Sequence, residues 1–375
     1  MDLAAVREEF PVTRNFNFQN HAAVAPLSKR AAAAICRYAE MSRDHAYLNE
    51  SFYRRASAVR TLAARLINAN PDEVTFVKNT SEGLSFVANG LQWKTGDNVV
   101  LANVEFPANV YPWMNLQARG VHLKMVIEEQ GRIPLEKLVA AIDSRTRLVT
   151  ISAVQYLSGY RIDLAALGEV CRQRGVFLCV DAIQALGAVP LDVRSMNIDF
   201  LSADGHKWIC GPEGAGIFYC NKALLGHLRP STVGWMSMKQ GEDFGRYVFE
   251  FRDDARRFDA GCYNLPGVYG LGAAIELLLE MGIEQIHERL IRLTDLLVAS
   301  VRDKGYRVVS PRQPGEKSGI VAFFSDVHDP LKVQQHLQSE HRLIIAVRQG
   351  RLRASPHFYN TEAEIQQLID LLPRH

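Results

Sequence analysis

Short apolar runs and helical patterns alternate along the chain from about residue 74 to residue 220. Most of these runs are apolar throughout, which is typical of strands that helices cover on both faces of a sheet. The alternation predicts an α/β fold with a mainly parallel sheet, in which ligands bind at the carboxyl ends of the strands. The predicted strands are VTFVK, NVVLANV, LKMVI, RLVTISAV, VFLCVDA, FLSA and GIFYC. The predicted helices are residues 81–92, 107–118, 134–142 and 162–174.

The pattern changes after about residue 265, where two long helices are predicted before short strands return. It predicts a smaller α+β domain, and its boundary falls in DAGCYNLPG, where Gly and Pro interrupt the periodicity. We therefore expect a large domain at 16–264 and a small C-terminal domain at 265–375. The N-terminal segment 1–15 is expected to join the small domain. The predicted elements here are helices 266–282 and 284–303, YRVVS, GIVAFF, a helix at 329–340, LIIAV, RLRAS and a helix from Thr361.

The composition of the 375 residues is that of a globular protein, with 47% hydrophobic and 22% charged residues. The net charge of +2 provides no field for nucleic acid or an anionic membrane. No stretch approaches ~20 uninterrupted apolar residues, so we expect no transmembrane helix. The N-terminal MDLAAVREEFPVTRN has no signal-peptide core, so a cytoplasmic location is the default expectation.

The six cysteines form no CxxC pair, and no cluster of Cys and His has zinc spacing. Cys179 and Cys220 lie in apolar runs and are expected in the core. We therefore expect no metal site and no disulfide framework.

Two charged residues stand in unusual surroundings. Asp181 ends the apolar strand VFLCVDA, where it is either a helix cap or a carboxylate that faces a protonated ligand nitrogen, with Gln184 beside it. Lys207, in SADGHKWICG, has small, apolar and aromatic neighbours. It is either a surface lysine or a partly desolvated amine that attacks a carbonyl.

Two further segments follow predicted strands. Thr80 and Ser81 begin a helical pattern, either as an ordinary N-cap or as a cradle for a phosphate. Neither GxxxxGK[ST] nor a GxGxxG after a strand is present. Phe106 follows NVVLANV and is either a core residue or a platform for a planar ring. A carboxylate, an anion cradle, an aromatic platform and a lysine together suit one cofactor, pyridoxal 5′-phosphate (PLP).

These segments also resemble the class V aminotransferases of PLP fold type I, which include cysteine desulfurases, isopenicillin N epimerase-like proteins and kynureninases. The resemblance extends from NHAAVAPLS at 20–28 to RASPHFYNT at 353–361, and its most specific pieces are VDAIQ, DGHKW and RFDAG…GLGAA at 257–274. VQY…GYR and DGHKW are closest to the isopenicillin N epimerase-like branch. The resemblance implies the fold type I architecture and PLP as the cofactor.

By matching position, the resemblance implies a role for each candidate in cofactor binding. Lys207 would form the Schiff base with PLP, Asp181 would pair with the pyridine nitrogen, and Gln184 would contact the ring oxygen. The remaining implied contacts are His206 beside the lysine, Phe106 on the ring, and Thr80 and Ser81 at the phosphate.

Two positions near the implied phosphate depart from the relatives. Asp204 stands where desulfurases carry a phosphate-binding serine, and we expect it to bond His206 or a neighbouring backbone group instead. Cys262 stands where many relatives have a threonine that reaches the phosphate of the other subunit. Here the backbone N–H of Cys262, or Asn264, would make that contact instead. The resemblance therefore implies a homodimer with the active site at the interface.

The substrate side is implied in the same way. Arg353 matches the arginine that grips the α-carboxylate of an amino acid, and a guanidinium suits this because it offers two parallel bonds. Tyr156 and His21 are further candidates to contact the substrate. Tyr156 replaces an asparagine that desulfurases place near the ring.

The segment IIAVRQGRLRASPHF is short and contains no cysteine, so a desulfurase that forms a persulfide on its own cysteine is not expected. Transamination is the first expectation, and a carbon–sulfur or carbon–selenium lyase is the second. Epimerisation requires a second acid such as Tyr156 or His21. The alternative from another class is a catalytically silent PLP-binding protein that acts through partners.

Overall fold

The computed structural model describes residues 2–48 and 51–374. The strands are β1 (Asn17–Phe18), β2 (Val74–Val77), β3 (Asn98–Ala102), β4 (His122–Val126), β5 (Thr146–Ser152), β6 (Phe177–Asp181), β7 (Phe200–Asp204), β8 (Gly216–Cys220), β9 (Arg307–Val308), β10 (Val321–Phe324), β11 (Leu343–Ile344), β12 (Ala346–Arg348) and β13 (Arg351–Ala354). The α-helices are α1 (Leu3–Glu8), α2 (Lys29–His45), α3 (Ser51–Leu66), α4 (Thr80–Gly90), α5 (Tyr111–Met114), α6 (Leu135–Ala141), α7 (Leu164–Arg174), α8 (Leu265–Met281), α9 (Ile283–Asp303), α10 (Pro330–His341) and α11 (Glu362–Leu371).

The central sheet has 7 strands in the order β2-β8-β7-β6-β5-β3-β4, so each predicted strand between residues 74 and 220 is confirmed. β7, β6, β5, β3 and β4 pair in parallel, whereas β8 is antiparallel to both of its neighbours. The predicted α/β fold with a mainly parallel sheet is therefore confirmed. The carboxyl ends of β3, β5, β6 and β7 lie along one edge of this sheet.

The helix predicted over residues 107–118 is wrong. Pro107 begins a 3₁₀ turn at Pro107–Asn109, the four-residue helix α5 follows, and a second 3₁₀ turn covers Asn115–Arg119. Proline has no N–H and cannot continue an i→i−4 ladder, so Pro107 and Pro112 divide the segment into short turns.

The C-terminal part contains the antiparallel sheet β12-β13-β10-β9. The N-terminal segment joins the C-terminal part beside this sheet. β1 and β11 form a separate two-stranded parallel sheet, and Arg7 makes two hydrogen bonds to Glu364 of α11, at 2.9 and 3.0 Å. α8 instead packs against α2 and α3, where Val268 and Tyr269 share an apolar cluster with Phe52. The boundaries at 16–264 and 265–375 stay a prediction.

Within residues 2–48 and 51–374, no single helix is long and apolar enough to cross a membrane. α8 and α9 reach that length and composition only together, and they meet at an angle of 78°. In the same part of the chain, no group of three or more His, Cys, Asp or Glu side chains could hold a metal ion.

Candidate active site

A cavity of about 320 Å³ opens at the carboxyl edge of the parallel strands. Its volume is within the range of small-molecule sites. Segments that follow β2, β3, β5, β6 and β7 form its walls, and the β12–β13 hairpin supplies two arginines. The candidates from the sequence that line it are Thr80, Ser81, Phe106, Tyr156, Gln184, Asp204, His206, Lys207 and Arg353.

Lys207 follows β7 and reaches the cavity with 7% of its surface exposed. Burial lowers the pKa of Lys207 to about 8, against a smaller opposing effect of Asp181. Its Nζ atom lies 5.4 Å from the centre of the Phe106 ring. The neutral amine, which is the form that attacks a carbonyl, is therefore more populated in Lys207 than in an exposed lysine.

Asp181 is the last residue of β6 and is 1% exposed. Its Oδ1 accepts a hydrogen bond of 3.0 Å from the Ile183 N–H, whereas Oδ2 is buried and has no partner among the described residues. Burial raises the pKa of Asp181 to about 7, and the nearby charge of Glu105 raises it further. An unpartnered buried carboxylate oxygen is costly unless a donor occupies its vicinity.

Asn79, and not Thr80 or Ser81, is the N-cap of α4, because its side chain accepts the Glu82 N–H at 2.9 Å. The Thr80 hydroxyl accepts from the Asp204 N–H at 3.2 Å and keeps its own proton for another acceptor. The first turn of α4, with Ser81 on the cavity wall, thus has the features of an anion site.

Asp204 does not present a bare charge to that anion site. Its Oδ1 accepts the Gly205 N–H at 2.7 Å, and its Oδ2 lies 2.9 Å from Nδ1 of His206. The expected hydrogen bond to a neighbouring backbone group is therefore present, whereas Nδ1 of His206 is close to the carboxylate without a hydrogen bond among the described residues, and both side chains line the cavity.

Gln184 is fixed at both ends of its amide: Nε2 donates to the Ala22 carbonyl at 3.0 Å, and Oε1 accepts from Nε1 of Trp208 at 2.9 Å. Its second N–H remains for a ligand. On the other side of the cavity, the rings of Phe106 and Tyr156 meet edge to face with centres 5.2 Å apart.

Arg353 lies in β13 and is 1% exposed. Its Nη1 donates to the Tyr156 carbonyl at 2.7 Å, but Nε and Nη2 are buried without a partner in the described structure. Burial and the charge of Arg348 lower the pKa of Arg353 to about 9. Two unpartnered donors of one guanidinium beside a cavity suit a carboxylate.

His21 is not among the residues that line the cavity, and its contact with the substrate stays a prediction. Its Nδ1 lies 2.9 Å from the Ser355 carbonyl and its Nε2 lies 2.6 Å from the Tyr359 hydroxyl. Complete burial lowers the pKa of His21 well below its usual value. Both ring nitrogens are therefore used in joining the N-terminal segment to the C-terminal part.

Cys262 and Asn264 line a neighbouring cavity of about 280 Å³, together with Lys78 and Glu82. Asn264 caps α8 by accepting the Gly267 N–H at 3.2 Å and donates to the Gly214 carbonyl at 2.9 Å. Neither residue lines the cavity that contains Lys207.

Two residues near the site were not among the predicted contacts. Arg348 lines the cavity beside Arg353, and Glu105 is buried behind Phe106. Glu105 follows the apolar run NVVLANV much as Asp181 ends VFLCVDA. The signal of a carboxylate after a buried strand was therefore present for Glu105 as well.

The residues at this edge fit PLP. The orphaned Oδ2 of Asp181 suits a protonated ring nitrogen, the start of α4 suits a phosphate, and the buried amine of Lys207 suits an aldehyde. A mainly parallel sheet with this set at its carboxyl edge defines the class of PLP-dependent enzymes that act on amino acids.

The model of the family described as Aminotransferase class-V matches residues 20–368, so the chain belongs to that family. A probable cysteine desulfurase of Methanothermobacter thermautotrophicus is 32% identical over 98% of this chain and 96% of the relative. The structure of a lysine-to-alanine mutant of C-DES, with glycine covalently linked to its PLP cofactor, has a TM-score of 0.90 at 25% identity and covers 97% of this chain and 98% of its own. The complex of the cystine C–S lyase C-DES with cysteine persulfide has a TM-score of 0.89 at 25% identity, covering 96% of this chain and 98% of its own.

The predicted family, the fold type I architecture and the PLP cofactor are thereby confirmed. The chain is a PLP-dependent enzyme that acts on an amino acid, and the catalytically silent alternative is not needed.

Proposed function

We propose that this enzyme cleaves the carbon–sulfur bond of a sulfur-containing amino acid by β-elimination, without a catalytic cysteine. The observation that carries this proposal is the lining of the cavity, which combines the buried amine of Lys207 with Arg353 and, among the described residues, includes no cysteine. The relatives called cysteine desulfurase and cystine C–S lyase support a sulfur substrate.

In this proposal, the cofactor is held by residues from four segments. Asp181 receives the ring nitrogen, Gln184 the ring oxygen, Phe106 the ring face, and Thr80 and Ser81 the phosphate. Asp204 acts through His206, whose imidazole it orients towards the phosphate side of the cavity.

The chain then positions the substrate and moves one proton. Bound PLP supplies an electron sink and an aldehyde that takes up the amino group of the substrate. Nε and Nη2 of Arg353 hold the α-carboxylate, and Tyr156 closes the wall above it. Nζ of Lys207 removes the proton from the α-carbon, after which the bond from the β-carbon to sulfur breaks.

The test is product formation by the purified holoenzyme with L-cystine or L-cysteine and no added keto acid. We expect a sulfur product, ammonia and pyruvate in equal amounts. L-Alanine is the matched control substrate, because it has no group to expel from its β-carbon. Turnover that requires a keto acid and converts the bound cofactor to its pyridoxamine form would contradict the lyase and establish the aminotransferase instead.

We also propose a homodimer. Three aromatic side chains in one surface segment are unusually exposed: Phe244 at 75%, Tyr247 at 97% and Phe249 at 70%. Apolar groups exposed together in this way mark an interaction surface. The second cavity, with Cys262 and Asn264, adjoins the start of α4 and is available to a partner's phosphate side. The cytoplasmic location stays a prediction.

The double variant Tyr247→Glu/Phe249→Glu is expected to be a monomer of 42.0 kDa by light scattering after gel filtration, whereas the wild type elutes at twice that mass. Burying two carboxylates in an apolar interface is prohibitive. Val327→Glu/Leu331→Glu is the matched control, since both side chains are exposed apolar groups elsewhere. A monomeric wild type, or a dimeric Tyr247/Phe249 variant, would refute the assignment of this surface.

A further inference from the structure

Glu105 is a buried carboxyl group directly beneath the cavity wall. It is 6% exposed, and every contact that the structure gives it comes from a potential donor. The Ser152 N–H lies 3.1 Å from both of its oxygens, and the Ser152 hydroxyl lies 2.5 Å from Oε2. The amides of Gln155 and Asn109 donate at 2.7 and 2.8 Å.

This set of partners favours the ionised form. An ionised carboxylate only accepts, and three of the groups around Glu105 are N–H donors that can only donate. Burial raises the pKa of Glu105, and the hydrogen bonds from Ser152, Asn109 and Gln155 act in the opposite direction. A carboxylate that accepts several such bonds keeps its charge even in a buried place.

Two partners of Glu105, Gln155 and Ser152, are next to a residue of the proposed site. Glu105 itself precedes Phe106, and Gln155 precedes Tyr156, the two rings that meet edge to face. Ser152 is the register partner of Asp181 between β5 and β6, and the Ala153 N–H donates to the Asp181 carbonyl at 2.9 Å. One carboxyl group therefore connects both aromatic walls with the strand end that carries Asp181.

Donors reach both oxygens of Glu105: the Gln155 amide reaches Oε1, and the Asn109 amide reaches Oε2. A neutral amide of the same length has only one acceptor oxygen, and its NH2 group would meet an N–H donor at the other position, so this arrangement suits a carboxylate. The charge has an electrostatic effect only where another ionisable group is close, and Asp181 is such a group.

We propose that Glu105 is a positioning residue of the cofactor site, whose buried negative charge behind Asp181 strengthens the retention of a proton on the ring nitrogen of the bound cofactor. The inference rests on the proposed placement of that nitrogen at Asp181. The positive ring nitrogen would be attracted by both carboxylates, so that the ring would keep its capacity to accept electrons at alkaline pH.

Other charges act on the same region and must stay constant in a test. Lys207 acts on Asp181 directly, and Lys207 is itself influenced by Arg353, Asp204 and Arg348. His206 and Tyr156 complete the titratable groups on the cavity wall.

The experiment is a pH titration of the absorbance of the bound cofactor, together with the dissociation constant of PLP measured by reconstituting the apoenzyme. Glu105→Gln removes the charge at constant size. We expect its spectral midpoint to fall by about one pH unit and PLP to bind about tenfold more weakly, because one unit corresponds to a tenfold change in equilibrium. Glu105→Asp keeps the charge and is expected to retain the wild-type midpoint.

Ser152→Ala is the second variant, for use if Glu105→Gln does not fold. Losing the Ser152 hydroxyl removes one hydrogen bond that stabilises the ionised form of Glu105, so a smaller fraction of Glu105 is charged. The spectral midpoint is therefore expected to fall, by less than in Glu105→Gln. Asp199→Asn is the matched control. It removes a buried carboxylate that accepts the Leu178 N–H at 2.8 Å at the amino end of β7 and is remote from the cavity.

Asp181→Asn separates the role of Glu105 from the placement of the ring nitrogen. If it changes neither the midpoint nor the affinity for PLP, the proposed place of the ring nitrogen is wrong. If it changes both, while the spectral midpoints of Glu105→Gln and Ser152→Ala equal that of the wild type, only the role of Glu105 is overturned. That role is likewise overturned if Asp199→Asn shifts the midpoint as much as Glu105→Gln does.

Discussion

Lys207→Ala is expected to lower kcat/KM by at least about 10³-fold, because the variant loses the general base for the α-proton, which alone contributes ~10²–10⁴-fold. The loss should persist when PLP is saturating, since the defect lies in proton movement as well as in cofactor attachment. Steady-state rates with L-cystine at several PLP concentrations measure it. Lys94→Ala, which changes an exposed lysine, should retain full activity.

The pH dependence of Lys207 gives the same prediction a second measurement. Burial lowers the pKa of the Lys207 ammonium to about 8, so the reactive neutral amine increases as the pH rises through that value. In the apoenzyme, the rate at which Lys207 reacts with an aldehyde should rise between pH 7 and 9 and level off above. A rate that is still rising steeply at pH 10, as for an ordinary lysine of pKa about 10.4, would contradict the buried environment.

Arg353→Ala is expected to raise KM for the amino-acid substrate by about 30-fold or more, because losing one partner of a buried charge pair costs ~2–5 kcal/mol. Arg353→Lys should recover little of this, since an ammonium cannot reproduce the two parallel N–H donors of Nε and Nη2. The release of pyruvate as a function of substrate concentration measures both variants.

Two controls test that the effect belongs to the carboxylate. Arg351→Lys alters an arginine of the same strand that does not line the cavity, and its KM should remain near the wild-type value. A substrate whose α-carboxylate is replaced by an amide should bind poorly to the wild type, and Arg353→Ala should lower its binding no further. If Arg353→Ala weakens the acid and the amide equally, Arg353 does not hold the carboxylate.

The strand pattern predicted the sheet and with it the edge where the site lies. Asp181 and Lys207 could be singled out because each stands after an apolar strand, and the carboxyl ends of parallel strands meet at one edge. The degree of burial of these two side chains cannot be read from the sequence. In the structure, burial raises the pKa of Asp181 and lowers the pKa of Lys207.

Tertiary contacts give some residues surroundings that the sequence does not predict. His21 is next to cavity-lining residues in the chain, but Ser355 and Tyr359, more than 330 positions away, hold its ring elsewhere. Residues 107–118 have helical composition, yet two prolines divide them. Asn79 and Thr80 are both good caps, and only the backbone of α4 shows that Asn79 is used.

Glu105 shows a further limit of sequence reasoning. Its position after β3 carried the same signal as that of Asp181, but its partners lie on β5 and in the segment after it, about 50 positions later. The pairing that brings Ser152 beside Asp181 is a matter of strand register, which the pattern of apolar residues does not specify.

The most direct measurement of the central claim is reduction of the purified holoenzyme with borohydride, followed by peptide mapping. We predict a single pyridoxyl label on the peptide SADGHKWICG, at Lys207, and none in Lys207→Ala. A label on another lysine, with the Lys207 peptide unmodified, would contradict the account.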